Sequence, residues 1–180
     1  MLDPSELSSY RPISNLSFIS KTIERVVAVR FSEHAEAQHL LPRRQSAYRA
    51  VHSTETAVTA VHDDLVRNID SGRISVLMLL DLSAAFDTVD HDILRRVLSK
   101  RFGVDGLAMD WFSLYLSHRT QTFHTGVQQS GPHKVNCSVP QGSVLDPQEF
   151  IAYTEELVCL IDRHHLGHHL YADDTQLIDG

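Results

Sequence analysis

Apolar residues fall at helical spacing in five stretches of this chain. In the first, Ile19, Ile23, Val26 and Val27 stand at i, i+4, i+7 and i+8, and Ser17 is placed to cap the first turn. A helix is therefore predicted from Ser17 to about Gln38, packing on that stripe, with Lys21, Arg25 and Arg30 toward solvent. A second begins near Ser53, where Glu55 suits the positive end of a helix dipole. It puts Val58, Val61, Leu65 and Ile69 on one face and ends at Gly72. A third uses Ile93, Leu94, Val97 and Leu98 and stops at Gly103. A fourth, from about Gly106, carries a core stripe of Leu107, Trp111, Leu114 and Tyr115. A fifth, from Pro147 to about His165, buries Phe150, Ile151, Leu157, Leu160 and Ile161, and Gly167 ends it.

Between these lie strand patterns. Ile74 to Leu80 is an unbroken apolar run, too short and too β-branched at its start for a helix, and it reads as a strand buried on both faces. It ends on Asp81. Thr120 to Val127 and Lys134 to Val139 read as two short strands of a hairpin round a polar loop with Gly131 and Pro132. His169 to Ile178 reads as strand, turn, strand, with Asp173 and Asp174 at the turn. The opening residues, 2–15, are polar and carry Pro4 and Pro12, which favours an extended path. Helices and short strands in this order point to an α+β fold.

With 180 residues and 42% apolar content the chain can close a single core and is not disordered in composition. Its formal charge is −7, the wrong sign for a protein that grips nucleic acid over its whole surface. The charge is uneven, however. Residues 1–50 hold seven basic and five acidic side chains, which leaves nine basic and eighteen acidic for the rest, so a phosphate-gripping surface is expected in the first fifty. Cys137 and Cys159 form no CxxC pair, so neither a disulfide partner nor a cysteine zinc site is expected. No apolar run approaches the roughly 18 residues of a membrane span, and the start lacks a signal-peptide pattern. An intracellular protein is expected, in nucleus or cytoplasm.

The chemistry concentrates in acids. Asp173 and Asp174 are adjacent carboxylates in an otherwise apolar or neutral stretch, a costly pairing unless a cation neutralises it. Asp81 ends a core strand, where burial without a partner would cost several kcal/mol. Together the three form a candidate site for two Mg²⁺ ions, since hard cations suit an all-carboxylate set and lack of suitable Cys and His argues against zinc. Such a pair can serve in-line phosphoryl displacement. Arg43, Arg44 and Arg49 in one loop read either as a solvated surface or as a nucleic-acid strand contact. Val139 to Ser143 (VPQGS) is a bend whose glycine lets a backbone approach a ligand. His164 and His168 have the i, i+4 spacing of a metal pair, but Gly167 interrupts the helix between them.

At this point the order of motifs becomes informative: YRPIS at Tyr10 to Ser14, QSAYR at Gln45 to Arg49, HSTETA at His52 to Ala57, DLSAAFDTVDH at Asp81 to His91, LYLSHRTQ at Leu114 to Gln121, SVPQGSVL at Ser138 to Leu145, and YADD at Tyr171 to Asp174. In order and spacing the chain resembles the reverse transcriptase domain of non-LTR (LINE-type) retrotransposons over nearly its whole length. The resemblance implies a right-hand polymerase fragment, with fingers-like residues 1–72, a palm of antiparallel sheet and helices over 73–180, and no thumb. It implies that Asp81 and Asp173 hold both metals, that Asp174 assists, and that the Leu82 carbonyl adds a ligand, with Mn²⁺ a possible substitute for Mg²⁺. Phe86 matches the steric gate against a ribonucleotide 2′-hydroxyl, Arg11 the triphosphate-gripping arginine, and Gln141 with Gly142 the turn against the incoming nucleotide and template base. The implied partners are an RNA template, a DNA primer and a dNTP.

The departures are specific. The family usually has glycine at the position of Asp146 and apolar residues at Gln148 and Glu149, so a helix start expected to pack into the palm has gained two charges. By the resemblance the chain is also truncated at both ends, lacking the preceding fingers strands, the thumb and an endonuclease. A catalytically inactive remnant that binds RNA or protein is the alternative from another class. A metal-dependent nuclease on the same acids lacks a general base.

Overall fold

Helix caps set the first boundaries. In the computed structural model, which describes residues 10–82, 84–125 and 128–179, the Ser17 side chain accepts the Ser20 N–H and starts α1, Phe18–Ala37. Ser53 and Thr56 form a reciprocal capping box at the head of α2, Thr54–Asp70. Then follow β1 (Val76–Asp81), a single 3-10 turn (Ala85–Asp87), α3 (His91–Lys100) and α4 (Gly106–Leu116). Four two-residue strands come next: β2 (Thr120–Gln121), β3 (His124–Thr125), β4 (Gln128–Gln129) and β5 (His133–Lys134). The chain continues through α5 (Asp146–Arg163), β6 (Gly167–Tyr171) and β7 (Asp174–Asp179). The fold is α+β, as expected. Its main sheet is antiparallel with order β1-β7-β6.

The core lies among α1, α3, α4 and α5 and takes in Ala85, Val89, Val139 and Leu145 from the connecting loops. α3 turns Leu94, Val97 and Leu98 inward, leaving Ile93 half-exposed. Three predicted faces are rotated. α1 buries Glu24, Ala28, Phe31 and Ala35, whereas Ile19 (71% exposed), Ile23 and Val26 face outward. What selects this face is the partner surface: the Phe31 ring meets Phe102 at 5.3 Å and Phe112 at 6.3 Å. α4 points Phe112 and Leu116 into the core, while Leu107 and Leu114 are exposed and Trp111 stacks on Tyr115 at the margin. α2 buries only Ala57 fully, with Val58 and Ile69 exposed. In α5, Phe150, Ile151 and Ile161 are buried as expected but Leu160 is not. Its helix is capped at His164, and Gly167 opens β6.

The largest correction concerns β1. Every residue of it is exposed, Leu79 at 72%, although an apolar run predicts burial on both faces. The run is an edge strand: β7 pairs one side of it, and the helices that pack on the sheet lie on its other strands, α2 on β6 and β7 and α5 on β6. The predicted hairpin after α4 is present in part. Thr120 pairs with Lys134 and Gln121 with His133, and a second short pair, β3 with β4, is nested inside. Val127 lies outside the described residues.

Candidate active site

β1 stops at Asp81, directly opposite Asp174 in the β1–β7 register, and Asp174 in turn faces Tyr171 across β7–β6. Residues opposite each other in an antiparallel pair show their side chains on the same face with Cβ atoms about 5 Å apart, and like charges there repel. The two-residue connection between β6 and β7 is Ala172 and Asp173, so Asp173 stands just beyond the ladder at the same end of the sheet. Ala172 holds a left-handed conformation (φ 56°), uncommon for a residue with a Cβ. Asp81 and Asp174 are exposed and Asp173 is half-buried. The donor set, three carboxylates and a strand-end carbonyl, fits a hard divalent cation. Among the described residues, though, no three acidic, His or Cys side chains converge as a metal-binding group. The Leu82 carbonyl accepts the Ala85 N–H at 3.1 Å, which leaves it one further lone pair.

The second half of the site is a loop body tied to the strand end. After β1 the chain makes the 3-10 turn in which Phe86 packs its ring on Phe150, centroids 4.4 Å apart. The Phe86 carbonyl accepts the Val139 N–H at 3.0 Å, and the Val89 carbonyl accepts that of Ser138 at 2.8 Å. Gln141 Nε2 donates to Asp87 Oδ1 at 2.6 Å. Gly142 needs its lack of Cβ, with φ 85°. Arg11 is exposed on an irregular segment, and three residues on, the Ser14 N–H donates to the Gln141 carbonyl at 3.0 Å. The structure thus gathers Asp81, Asp173 and Asp174 at one sheet end and Phe86, Gln141 and Gly142 in one loop body, with the Arg11 segment hydrogen-bonded to it.

Four residues at this site were not singled out by the sequence. Glu24 is fully enclosed, accepting the Val144 N–H at 2.8 Å and the Ser20 hydroxyl at 3.0 Å. Gln45 is buried against the Ala172 turn. Asp87 holds Gln141. Tyr48 has its phenol pushed up by partial burial and then by the charges of Asp146 and Asp173, so both carboxylates act on one hydroxyl. A buried Glu on an amphipathic helix and a buried Gln between arginines carry no periodic signal. The arginine loop also differs from a free phosphate grip. Arg44 pairs with Asp64, and Arg49 makes a two-pronged contact with Glu36 at 3.0 and 2.9 Å, which lowers the Glu36 carboxyl's pKa.

The substituted helix start sits beside the loop body. Asp146 accepts the Gly142 N–H, and burial, with the charge of Asp87 adding, pushes its carboxyl up to about 6. Glu149 is 1% exposed, and neither of its carboxyl oxygens has a hydrogen-bond partner. Burial first, then the neighbouring charge of Asp146, pushes it up to about 8. His168 and His169 are buried in β6, where burial lowers both.

A glycine turn and strand-end carboxylates thus sit on one α+β frame. The chain belongs to the reverse transcriptase (RNA-dependent DNA polymerase) family, whose family model matches residues 3–178. It is 36% identical over 157 residues to a Drosophila melanogaster protein named "Probable RNA-directed DNA polymerase from transposon X-element", covering 84% of this chain and 16% of that one. It is 31% identical over 175 residues to its counterpart from transposon BS of the same species, covering 94% and 19%. To the RNA-directed DNA polymerase from mobile element jockey, also of that species, it is 27% identical over 186 residues, covering 97% and 19%. The resemblance to the polymerases of non-LTR retrotransposons therefore stands. The chain spans about a sixth to a fifth of the length of these relatives.

Proposed function

We propose that this chain is the fingers-and-palm part of an RNA-directed DNA polymerase, residues 1–72 forming the fingers-like part and 73–180 the palm of a right-hand fold. The observation that carries the reading is the register that sets Asp81 against Asp174 with Asp173 at the adjoining turn. In this reading Asp81 and Asp173 are the principal holders of two Mg²⁺ ions, or of Mn²⁺ in their place, and Asp174 and the Leu82 carbonyl assist. Bound there, the ions would supply Lewis-acid activation of the attacking hydroxyl and neutralise charge on the departing oxygen. Arg11 binds the triphosphate of a dNTP as a charged fork. Gln141, fixed by Asp87, and the bare backbone of Gly142 hold the base pair being formed between the RNA template and the nucleotide. Phe86, braced by Phe150, excludes a 2′-hydroxyl by its bulk. The primer 3′-oxygen attacks the α-phosphorus, the bond to the bridging oxygen breaks, and pyrophosphate leaves.

Primer extension on an RNA template with Mg²⁺ tests this, comparing the chain with its Asp173→Ala, Asp174→Ala variant. Metal-dependent extension by the first and none by the second is expected; equal behaviour would sink the reading. A second reading, a catalytically inactive remnant that binds RNA or protein, is favoured by one observation, the unpartnered Glu149 under the nucleotide-side loop. Thermal melting separates the two early. A site able to hold metal raises the melting temperature with added Mg²⁺ by mass action, and a remnant's melt does not move.

A further inference from the structure

The motif at Gln45 to Arg49 matches the family but has no part in the chemistry above. Its backbone forms a fourth line beside the sheet, parallel to β6: the Leu170 N–H donates to the Arg44 carbonyl at 2.8 Å, and the Ser46 N–H to the Leu170 carbonyl at 3.0 Å. The Ser46 hydroxyl and His169 Nε2 are hydrogen-bonded at 2.9 Å. From the far side, Arg49 donates to the carbonyls of Pro42 at 2.9 Å and Gln45 at 3.3 Å. With its backbone so fixed, Gln45, 1% exposed, reaches across the sheet end. Its Oε1 accepts the N–H of Ala47 at 3.0 Å and that of Ala172 at 3.3 Å, filling both lone pairs of the oxygen. Ala172 is the left-handed residue immediately before Asp173. It lies between the ladder partners Tyr171 and Asp174 and outside the ladder itself, and it is buried, so Gln45 supplies an acceptor that the sheet does not.

We infer that Gln45 is a positioning residue for the Asp173 turn, holding the Ala172 peptide in the conformation that sets Asp173 beside Asp81 and Asp174. Its catalytic consequence rests on the polymerase reading; its anchoring of the turn does not. The loop of Arg43, Arg44 and Arg49 then acts as a brace for the acids, and a displacement of that loop reaches Asp173 through one amide oxygen.

Amide hydrogen exchange by NMR on the whole chain tests the anchoring without any catalysis. Gln45→Met keeps the length and removes the acceptor, and it should speed exchange at Ala172 about tenfold while Thr175 and Leu177 in β7 change little. An unchanged Ala172 rate, or an equal acceleration at all three, overturns the inference. Ser46→Ala should leave Ala172 within about threefold of wild type, and acceleration matching Gln45→Met would assign the effect to the loop and not to Gln45. Should Gln45→Met fail to fold, Gln45→Glu keeps the acceptor oxygen and should keep Ala172 protected at pH 6; lost protection overturns the inference. In primer extension, Gln45→Met should lower kcat about tenfold at an unchanged dNTP KM, the signature of a misplaced reacting group. Unchanged kcat removes the catalytic half of the inference. No extension by the wild-type chain removes the polymerase reading, and the exchange data still decide the anchoring.

Discussion

Glu149 shows what one residue does to this fold. It occupies a position in the first turns of α5 lined by Phe31, Leu98, Phe112 and Leu145, with no space beside it for a water molecule. Neither carboxyl oxygen finds a donor there, so the charged form is disfavoured and the acid keeps its proton up to about pH 8, against an ordinary value of 4.5. In the unfolded chain the proton is lost near 4.5. Between these values the folded state binds a proton that the unfolded state has released, so stability from this group is full below pH 4.5 and lost as pH rises through 8. The loss is on the order of 4 kcal/mol, a large part of a small domain's total. Glu149→Leu is expected to raise stability at pH 8 by about that amount and by far less at pH 4.5, as read from urea midpoints at the two values. A variant with the same pH slope as wild type would place the acid's penalty elsewhere.

At the scale of elements, helix faces and strand environments were chosen by partners that the local pattern does not contain. α1 could have packed on Ile19, Ile23 and Val26, and instead centres on Glu24 and Phe31, because Glu24 finds the Val144 N–H and Phe31 finds two aromatic rings. The Ser17 cap, the β6–β7 hairpin and the order of elements were legible because each depends on neighbours in sequence: Ser17 on Ser20, Tyr171 on Asp174. The strand-end place of Asp81 and the turn place of Asp173 were legible for the same reason, but Asp174 lies in β7 and not in the turn, and Asp81 is exposed where a core strand would have buried it. Glu24, Gln45 and Asp87 were not, since the contacts that tie them to the site, with Val144, Ala172 and Gln141, span 120, 127 and 54 residues. The Glu24 contact fastens α1 to the loop that carries Gln141 and Gly142. Glu24→Ala leaves the Val144 N–H without its charged acceptor and is expected to cost about 2–3 kcal/mol. It should also raise the exchange rate of amides 142–145 more than those of α3, and uniform exchange across both would deny the contact a local role.

Over the whole molecule the two edges of the main sheet are treated differently. Beyond β6 the parallel segment at residues 44–46 caps the ladder with backbone hydrogen bonds and a buried Ser46–His169 pair. Beyond β1, among the described residues, no strand continues the sheet, and Val76, Leu77, Met78, Leu79 and Leu80 expose apolar side chains on both faces. Free edge N–H and C=O groups with an apolar surround are a template for pairing with another chain, and no lysine, proline or bulge interrupts this one. The formal charge of −7 opposes association through the field of the whole molecule, but in salt that field fades within about 8 Å, while an edge pairing acts at contact. Concentration-dependent self-association in physiological salt is therefore expected by sedimentation velocity, weakening little at higher salt. Leu79→Lys puts a charge at the most exposed position of the edge, where it loses little packing. It should abolish the association while leaving the melting temperature nearly unchanged, a surface change of within about 0.5 kcal/mol. If Leu79→Lys associates as wild type does, the contact lies on another surface, and the exposed α1 and α2 residues Ile19, Ile23, Val58 and Ile69 become the next to substitute.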